Sequence, residues 1–197
     1  MPYPRSANPN YGLDVANCFI ASLGAPALAD ADQFVVSVAM ANGAYTLAAG
    51  VHSDGLSRNL VATISAVTGN DTPGSILITG TGADGRALTE TLALVAGSTA
   101  TGLKCFKTVT SIVQSGWVIN TGNDTIVIGE GDKIALPPAI RQKPQVAAST
   151  QVFMVVLGTA LVAVSAGFDA ADISKCWVDA TAGTYDGSKK LYAFIYR

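Results

Sequence analysis

Between Ser75 and Ile112 apolar and polar residues follow a period of two, and turn residues cut the pattern into three runs. Ile76, Ile78 and Thr79 mark a short β-branched run, and Gly82-Ala83-Asp84-Gly85 supplies residues that tolerate the positive φ of a hairpin. The return run sets Leu88, Glu90, Leu92 and Leu94 on one face and Thr89, Thr91, Ala93 and Val95 on the other. Leu88, Thr91, Leu92 and Val95 also fit helix spacing, but the density of threonine and the lack of a cap before Arg86 favour a strand. A third run opposes Phe106, Thr108, Thr110 and Ile112 to Lys107, Val109 and Ser111. Together the three runs predict a β-meander with little charge at the centre of the protein.

The flanks read in the same terms. Residues 33–40 alternate as a strand, Ala41-Asn42-Gly43-Ala44 predicts a hairpin into residues 45–49, and His52-Ser53-Asp54-Gly55 turns the chain toward a strand over 60–65. Asp14 is placed to cap a short helix with Val15, Phe19 and Leu23 on one side, closed by Gly24 and Pro26. The pentad Thr68-Gly69-Asn70-Asp71-Thr72 recurs as Thr121-Gly122-Asn123-Asp124-Thr125 and reads as a turn used twice. Pro2, Pro4 and Pro9 keep residues 1–12 out of helix and central strand, which predicts an extended arm.

Residues 152–168 are nearly all apolar or small, at the short limit of a membrane span. Their valine content and the break at Gly158-Thr159 favour two buried strands. The strands over 152–164 are expected to pair with residues 176–178 and with a closing strand over 191–196, entered through Tyr185-Asp186-Gly187-Ser188. This segment should pack on the core as a second small β layer. The whole is expected to be all-β: an antiparallel sandwich-like or barrel-like domain with an extended N-terminal arm and a C-terminal β extension. The division runs 1–25 (arm and short helix or turn), 26–137 (β core) and 138–197 (proline-punctuated connector and C-terminal β segment).

The chain has 197 residues, 49% of them hydrophobic but only 13% charged, about half the usual charged fraction. So little charge leaves a free monomer short of mutual repulsion, so much of the surface is expected to face other protein. A net charge of −2 without a basic stripe argues against nucleic acid. Cys18, Cys105 and Cys176 are odd in number and widely spaced, which fits thiols in a reducing compartment rather than a disulfide framework or a zinc site. The first nine residues lack the apolar core of a signal peptide.

Candidate chemistry is thin. Gly80-x-Gly82-x-x-Gly85 matches the dinucleotide pattern, but an alternating run follows it, and no acid lies between Glu90 and Asp124 to hold a ribose. A hairpin is expected there, and no cofactor. His52-Ser53-Asp54 holds triad residue types, but sequence neighbours do not meet in triad geometry, so a polar turn is expected. Glu90 lies on a leucine-rich face and calls for a partner, with Lys104 or Lys107 across the sheet the nearest in reach. Asp30 with Asp32, and Asp124 with Asp132, are calcium-type oxygens outside any EF-hand pattern and read as solvated loops. No catalytic and no metal residues are assigned.

Several short motifs fall in a fixed order: Arg58-Asn59, Ile78-Thr79-Gly80-Thr81, Asp84-Gly85, Thr89-Glu90-Thr91, then Gly102-x-Lys104-x-Phe106-Lys107-Thr108-Val109-Thr110-Ser111-Ile112 and Gly129-x-Gly131-Asp132-x-Ile134-x-Leu136-Pro137. Over residues 57–137 this series resembles a β-rich family of structural proteins from tailed-bacteriophage virions, described as head decoration, cement or minor structural proteins. The resemblance implies a non-enzymatic protein on the capsid exterior, assembled in the host cytoplasm. Its implied partners are the major capsid protein and copies of itself, as a homotrimer, with no nucleic acid and no membrane. A tail or fibre-base component and a glycan-binding adhesin are the alternatives. Tyr3, Arg5 and Tyr11 on the arm are the expected protein-interface residues.

Overall fold

The computed structural model describes residues 18–66, 71–120, 122–137, 152–157, 160–162, 165–167, 169, 172–179 and 185–196. Fourteen strands follow in order: β1 (Cys18–Gly24), β2 (Val35–Ala39), β3 (Gly43–Ala44), β4 (Arg58–Ser65), β5 (Ser75–Gly82), β6 (Ala87–Ala93), β7 (Thr99–Thr101), β8 (Phe106–Ser115), β9 (Thr125–Ala135), β10 (Val152–Leu157), β11 (Ala160–Val162), β12 (Ser165–Gly167), β13 (Trp177–Asp179) and β14 (Leu191–Tyr196). One 3-10 turn, Ile173–Lys175, precedes β13. The fold is all-β, and every strand pairing is antiparallel.

The larger sheet has ten strands in the order β12-β13-β9-β4-β8-β5-β6, with β2 on β9, β3 on β8 and β7 on β4. It is open, ending at β12 and β6, so it is not a barrel. One residue pair, Arg58 with Phe106, joins the β4–β9 part to the β5–β8 part. The two parts put their apolar faces into one core in a sandwich-like arrangement. Leu60, Ala62, Ile64, Ile126 and Ile128 come from one side, and Ile76, Ile78, Leu92, Phe106 and Ile112 from the other. Each of the larger side chains contributes about 1.5–3 kcal/mol by leaving water.

The smaller sheet, β1-β14-β10-β11, joins the two ends of the described chain. A second apolar cluster, with Ala21, Leu23, Ile134, Leu136, Val178 and Leu191, links β1 and β14 to the last turn of β9 and to β13. The expected C-terminal β layer is present, but it is completed by β1.

Four expectations are corrected. The capped helix at Asp14 would run through residues that form β1: Cys18–Gly24 are extended because they pair with β14 residue by residue. The motif Ala41-Asn42-Gly43-Ala44 is not a hairpin, since β2 pairs with β9 while β3 pairs with β8. The chain crosses there between layers, and the Asn42 side chain fixes the crossing by donating to Trp117 O and accepting from Trp117 N, both at 2.9 Å. The central three strands are not a meander, because β8 lies against β5 and leaves β6 at the edge. In the C-terminal segment β10 pairs with β14 as expected, but β13 pairs with β12 and β9.

Strict alternation in β8 also fails, for a local reason. The β5–β8 register shifts between Thr79 and Gly80 and again between Thr81 and Gly82, which turns both Phe106 and Val109 into the core. A Cβ on Gly80 would overlap the carbonyl of Thr108, so this glycine permits the close approach that the shifted backbone makes. Residues 152–157 and 160–162 do form two antiparallel strands across positions 158–159. No helix among the described residues is long and apolar enough to cross a membrane.

Candidate functional site

The ionisable residues of the ordered motifs converge at one end of the sandwich, where β4 begins and β9 ends. Arg58 is fully buried and donates four hydrogen bonds to three acceptors. Its Nε and Nη2 reach Asp54 Oδ2 at 3.0 and 2.6 Å, Nη2 also reaches Ala27 O at 2.6 Å, and Nη1 reaches Gly131 O at 3.3 Å. The ring of Tyr185 lies 5.6 Å from the guanidinium. Asp54 in turn accepts from Ala27 N and Leu56 N. One side chain therefore ties the 26–28 loop, the 52–56 turn, β9 and the final segment together.

Asn59, the next residue, faces the other way. Its Nδ2 donates to Gly102 O at 3.1 Å and its Oδ1 accepts from Lys133 N at 3.0 Å. A Cβ on Gly131 would fall on the Asn59 amide, which is why a glycine stands there inside a strand. Glu90 accepts from Leu103 N at 2.8 Å and Lys104 N at 3.2 Å. The expected ion pair across the sheet is not its main contact. Lys107 donates to Gly55 O and Lys104 to Thr89 O, because β8 pairs with β5 and not with β6. Burial pushes the Glu90 carboxyl up, and the two backbone donors only partly offset it.

Glu130 was not singled out by sequence pattern, yet it is the densest polar node. Its carboxylate accepts from Ser53 N at 2.5 Å, Ser53 Oγ at 2.9 Å and Asp30 N at 3.2 Å, and lies 3.4 Å from His52 Nδ1. Burial alone would raise its pKa, but the His52 ring beside it and the hydrogen bonds from Ser53 and Asp30 N outweigh burial and hold it at about 2. The signal that marks it is an acid held between two glycines in a β-branched run, Gly129-Glu130-Gly131.

Serine, histidine and a carboxylate are thus brought together, but in the wrong order for nucleophilic catalysis. Ser53 Oγ donates to the carboxylate, not to the imidazole, and His52 meets Phe34 edge-on with ring centroids 5.0 Å apart. The imidazole is therefore not placed to take the Ser53 proton, as a nucleophilic triad requires. Asp54, the third residue of that tripeptide, is occupied by Arg58.

A cleft of about 200 Å³ opens between the β5–β6 turn and the 3-10 turn, lined in part by Asp84, Arg86, Leu88, Cys105, Leu136 and Asp172. Its charges are paired: Arg86 lies 3.6 Å from Asp84, and Asp172 lies 3.5 Å from Lys104 outside the lining. Burial pushes the Cys105 thiol up, so it stands as a neutral apolar group on the wall.

The glycines of the dinucleotide-like pattern lie on β5 and the turn after it, and a strand follows rather than a helix, as the alternation predicts. Among the described residues no three His, Cys, Asp or Glu side chains are grouped to hold a metal. Asp124 is buried rather than solvated, so the loop reading fails for that residue. Tyr3, Arg5 and Tyr11 lie outside the described residues. Comparison of the chain with family models, with characterised proteins and with solved structures finds no match.

Proposed function

We propose that this chain is a non-enzymatic structural protein of a tailed-bacteriophage virion, seated on the capsid exterior as a decoration or cement protein. The observation that carries the reading is what the motif residues do. Arg58, Asn59, Gly80, Glu90, Gly102 and Gly131 are all engaged in holding strands and turns together. A motif series used up by scaffolding fits a protein whose product is a rigid surface. The low charge and the apolar side chains left exposed supply that surface with groups that gain by being covered.

Such a protein works by adding buried interface across the seams of a shell, and many copies act together by avidity. The major capsid protein and copies of this chain are the partners, and the arm with Tyr3, Arg5 and Tyr11 is the part that reaches a neighbour. An adhesin reading draws less support, since Trp117 is buried and Trp177 is half-buried with Lys133 4.6 Å from its ring. The test is a reconstruction of intact particles with and without this chain. Density for the fold at regular positions on the head is expected. Density on the tail, or none on the particle, overturns the assignment.

A further inference from the structure

Charge is sorted by end along the sandwich. One end of the larger sheet gathers Ser65, Ser75, Ala93, Ser115 and Thr125 of β4, β5, β6, β8 and β9, and the opposite end gathers Arg58, Gly82, Ala87, Phe106 and Ala135. The second end holds the Arg58–Asp54 pair, Arg86, Lys104, Lys107 and Lys133. At the first end the sequence is bare of charge. Across 59–83, 91–103 and 108–129 the only ionic side chains are Asp71 and Asp124, and both are buried.

Among the described residues this end exposes uncharged side chains, polar ones such as Ser65, Thr72, Ser115 and Asn120 beside large apolar ones. Val95 is 63% exposed, Val118 60% and Ile119 52%, with Val36 and Val38 exposed on the neighbouring β2. The backbone beneath them is fixed. Thr72 and Val118 exchange hydrogen bonds of 2.9 and 3.0 Å, Leu94 N donates to Gly74 O at 3.0 Å, and Asn120 N donates to Asp71 at 2.6 Å. Little freedom is lost when such a surface docks.

We infer that this uncharged end is an interface with a second copy of the chain. Two copies of a neutral surface meet without repulsion, whereas a charged patch opposes its own image near a symmetry axis. A partner chosen by charge, acidic or basic, finds no counter-charge to hold. Two layers about 10 Å apart, several strands wide at about 4.8 Å spacing, present roughly 500 Å² at this end. A standard interface takes about 800 Å² from each partner. A contact of this size falls short of a standard interface, so association through this end is expected to be weak and reversible.

The inference does not need the virion reading: a monomeric chain that still decorates particles overturns it and leaves that reading standing. Sedimentation velocity of the full chain from about 10 to about 500 micromolar brackets a contact of this size. The sedimentation coefficient should climb with concentration. Val118→Lys with Ile119→Lys should weaken association at least tenfold while the far-ultraviolet spectrum stays that of the parent. Leu28→Lys, an equally exposed site beside the Arg58 cluster, should change nothing. A chain that stays monomeric throughout, as it would if this end meets only an unlike protein, overturns the proposal. So does unchanged association of the double-lysine variant, or an equal loss from Leu28→Lys.

Discussion

Arg58 and Asp54 stand four residues apart and share two hydrogen bonds through a single oxygen, with both side chains withdrawn from water. Removing Arg58 leaves the Asp54 carboxylate withdrawn from water without its counter-charge, held only by the Ala27 and Leu56 amides. Arg58→Ala should cost about 3–5 kcal/mol in denaturant unfolding. Arg58→Lys should recover little of the loss, because an ammonium cannot reach Asp54, Ala27 O and Gly131 O from one position as the guanidinium fork does. A Lys variant as stable as the parent would show that charge alone matters.

Glu130 gives the fold an acid limit. Its carboxyl titrates near 4.5 when unfolded and at about 2 in the native chain. A depressed acid contributes stability that is fully present above the unfolded value and is lost as pH falls from about 4.5 toward 2. The gap corresponds to roughly 3 kcal/mol. Glu130→Gln should lose most of this at pH 7 and show a flatter stability profile through the same window. Glu90 is shifted the opposite way, so Glu90→Gln should be near neutral at pH 7. Chemical melts at a series of pH values check both.

The Gly80 to Gly85 segment should bind no dinucleotide. Titration calorimetry with NAD or FAD should be flat, because a strand rather than a helix N-terminus follows Gly85, and micromolar binding would overturn this reading. Gly80→Ala should instead destabilise by about 2 kcal/mol or more, since its methyl group meets the Thr108 carbonyl.

Thiol chemistry offers a check on packing. Cys105 and Cys176 are both buried, and burial raises both thiols. Neither should react with a disulfide reagent in the native protein, and both should react on unfolding.

Deleting residues 1–10 should leave the β core folded, because Pro2, Pro4 and Pro9 give the segment no strand pattern. The truncated protein should lose occupancy on particles, or the particles should lose heat resistance. Unchanged occupancy and unchanged heat resistance would reduce the arm to a tail.

Period and turn chemistry made the strands legible, and most of the alternation is where the residues put it. Pairing was not legible, because period two says which face a residue takes and nothing about which strand lies beside it. Ala41-Asn42-Gly43-Ala44 shows the limit: its residues favour a reversal, but Asn42 spends both side-chain groups on Trp117, 75 positions away. Gly80 fell in a cofactor-like pattern and Gly131 in the ordered motifs, but it took the fold to show the close approach of Thr108 O to the first and of the Asn59 amide to the second. Glu130 escaped notice because its partners, Asp30, His52 and Ser53, converge only after β9 is in place.

The pairing of Cys18 with Tyr196 has a consequence for biosynthesis. β1 is among the first parts of the described chain to leave the ribosome, and it has no complement until the last strand emerges, some nine score codons later. The β4–β9 core, whose partners are nearer in sequence, can collapse while synthesis continues, but the outer sheet cannot. Closing so long a loop is slow, and the edge of β1 is exposed for the whole interval. Nascent chains of this protein therefore stand to gain from a holding chaperone, and truncated translation products lacking β14 are its natural aggregation seeds.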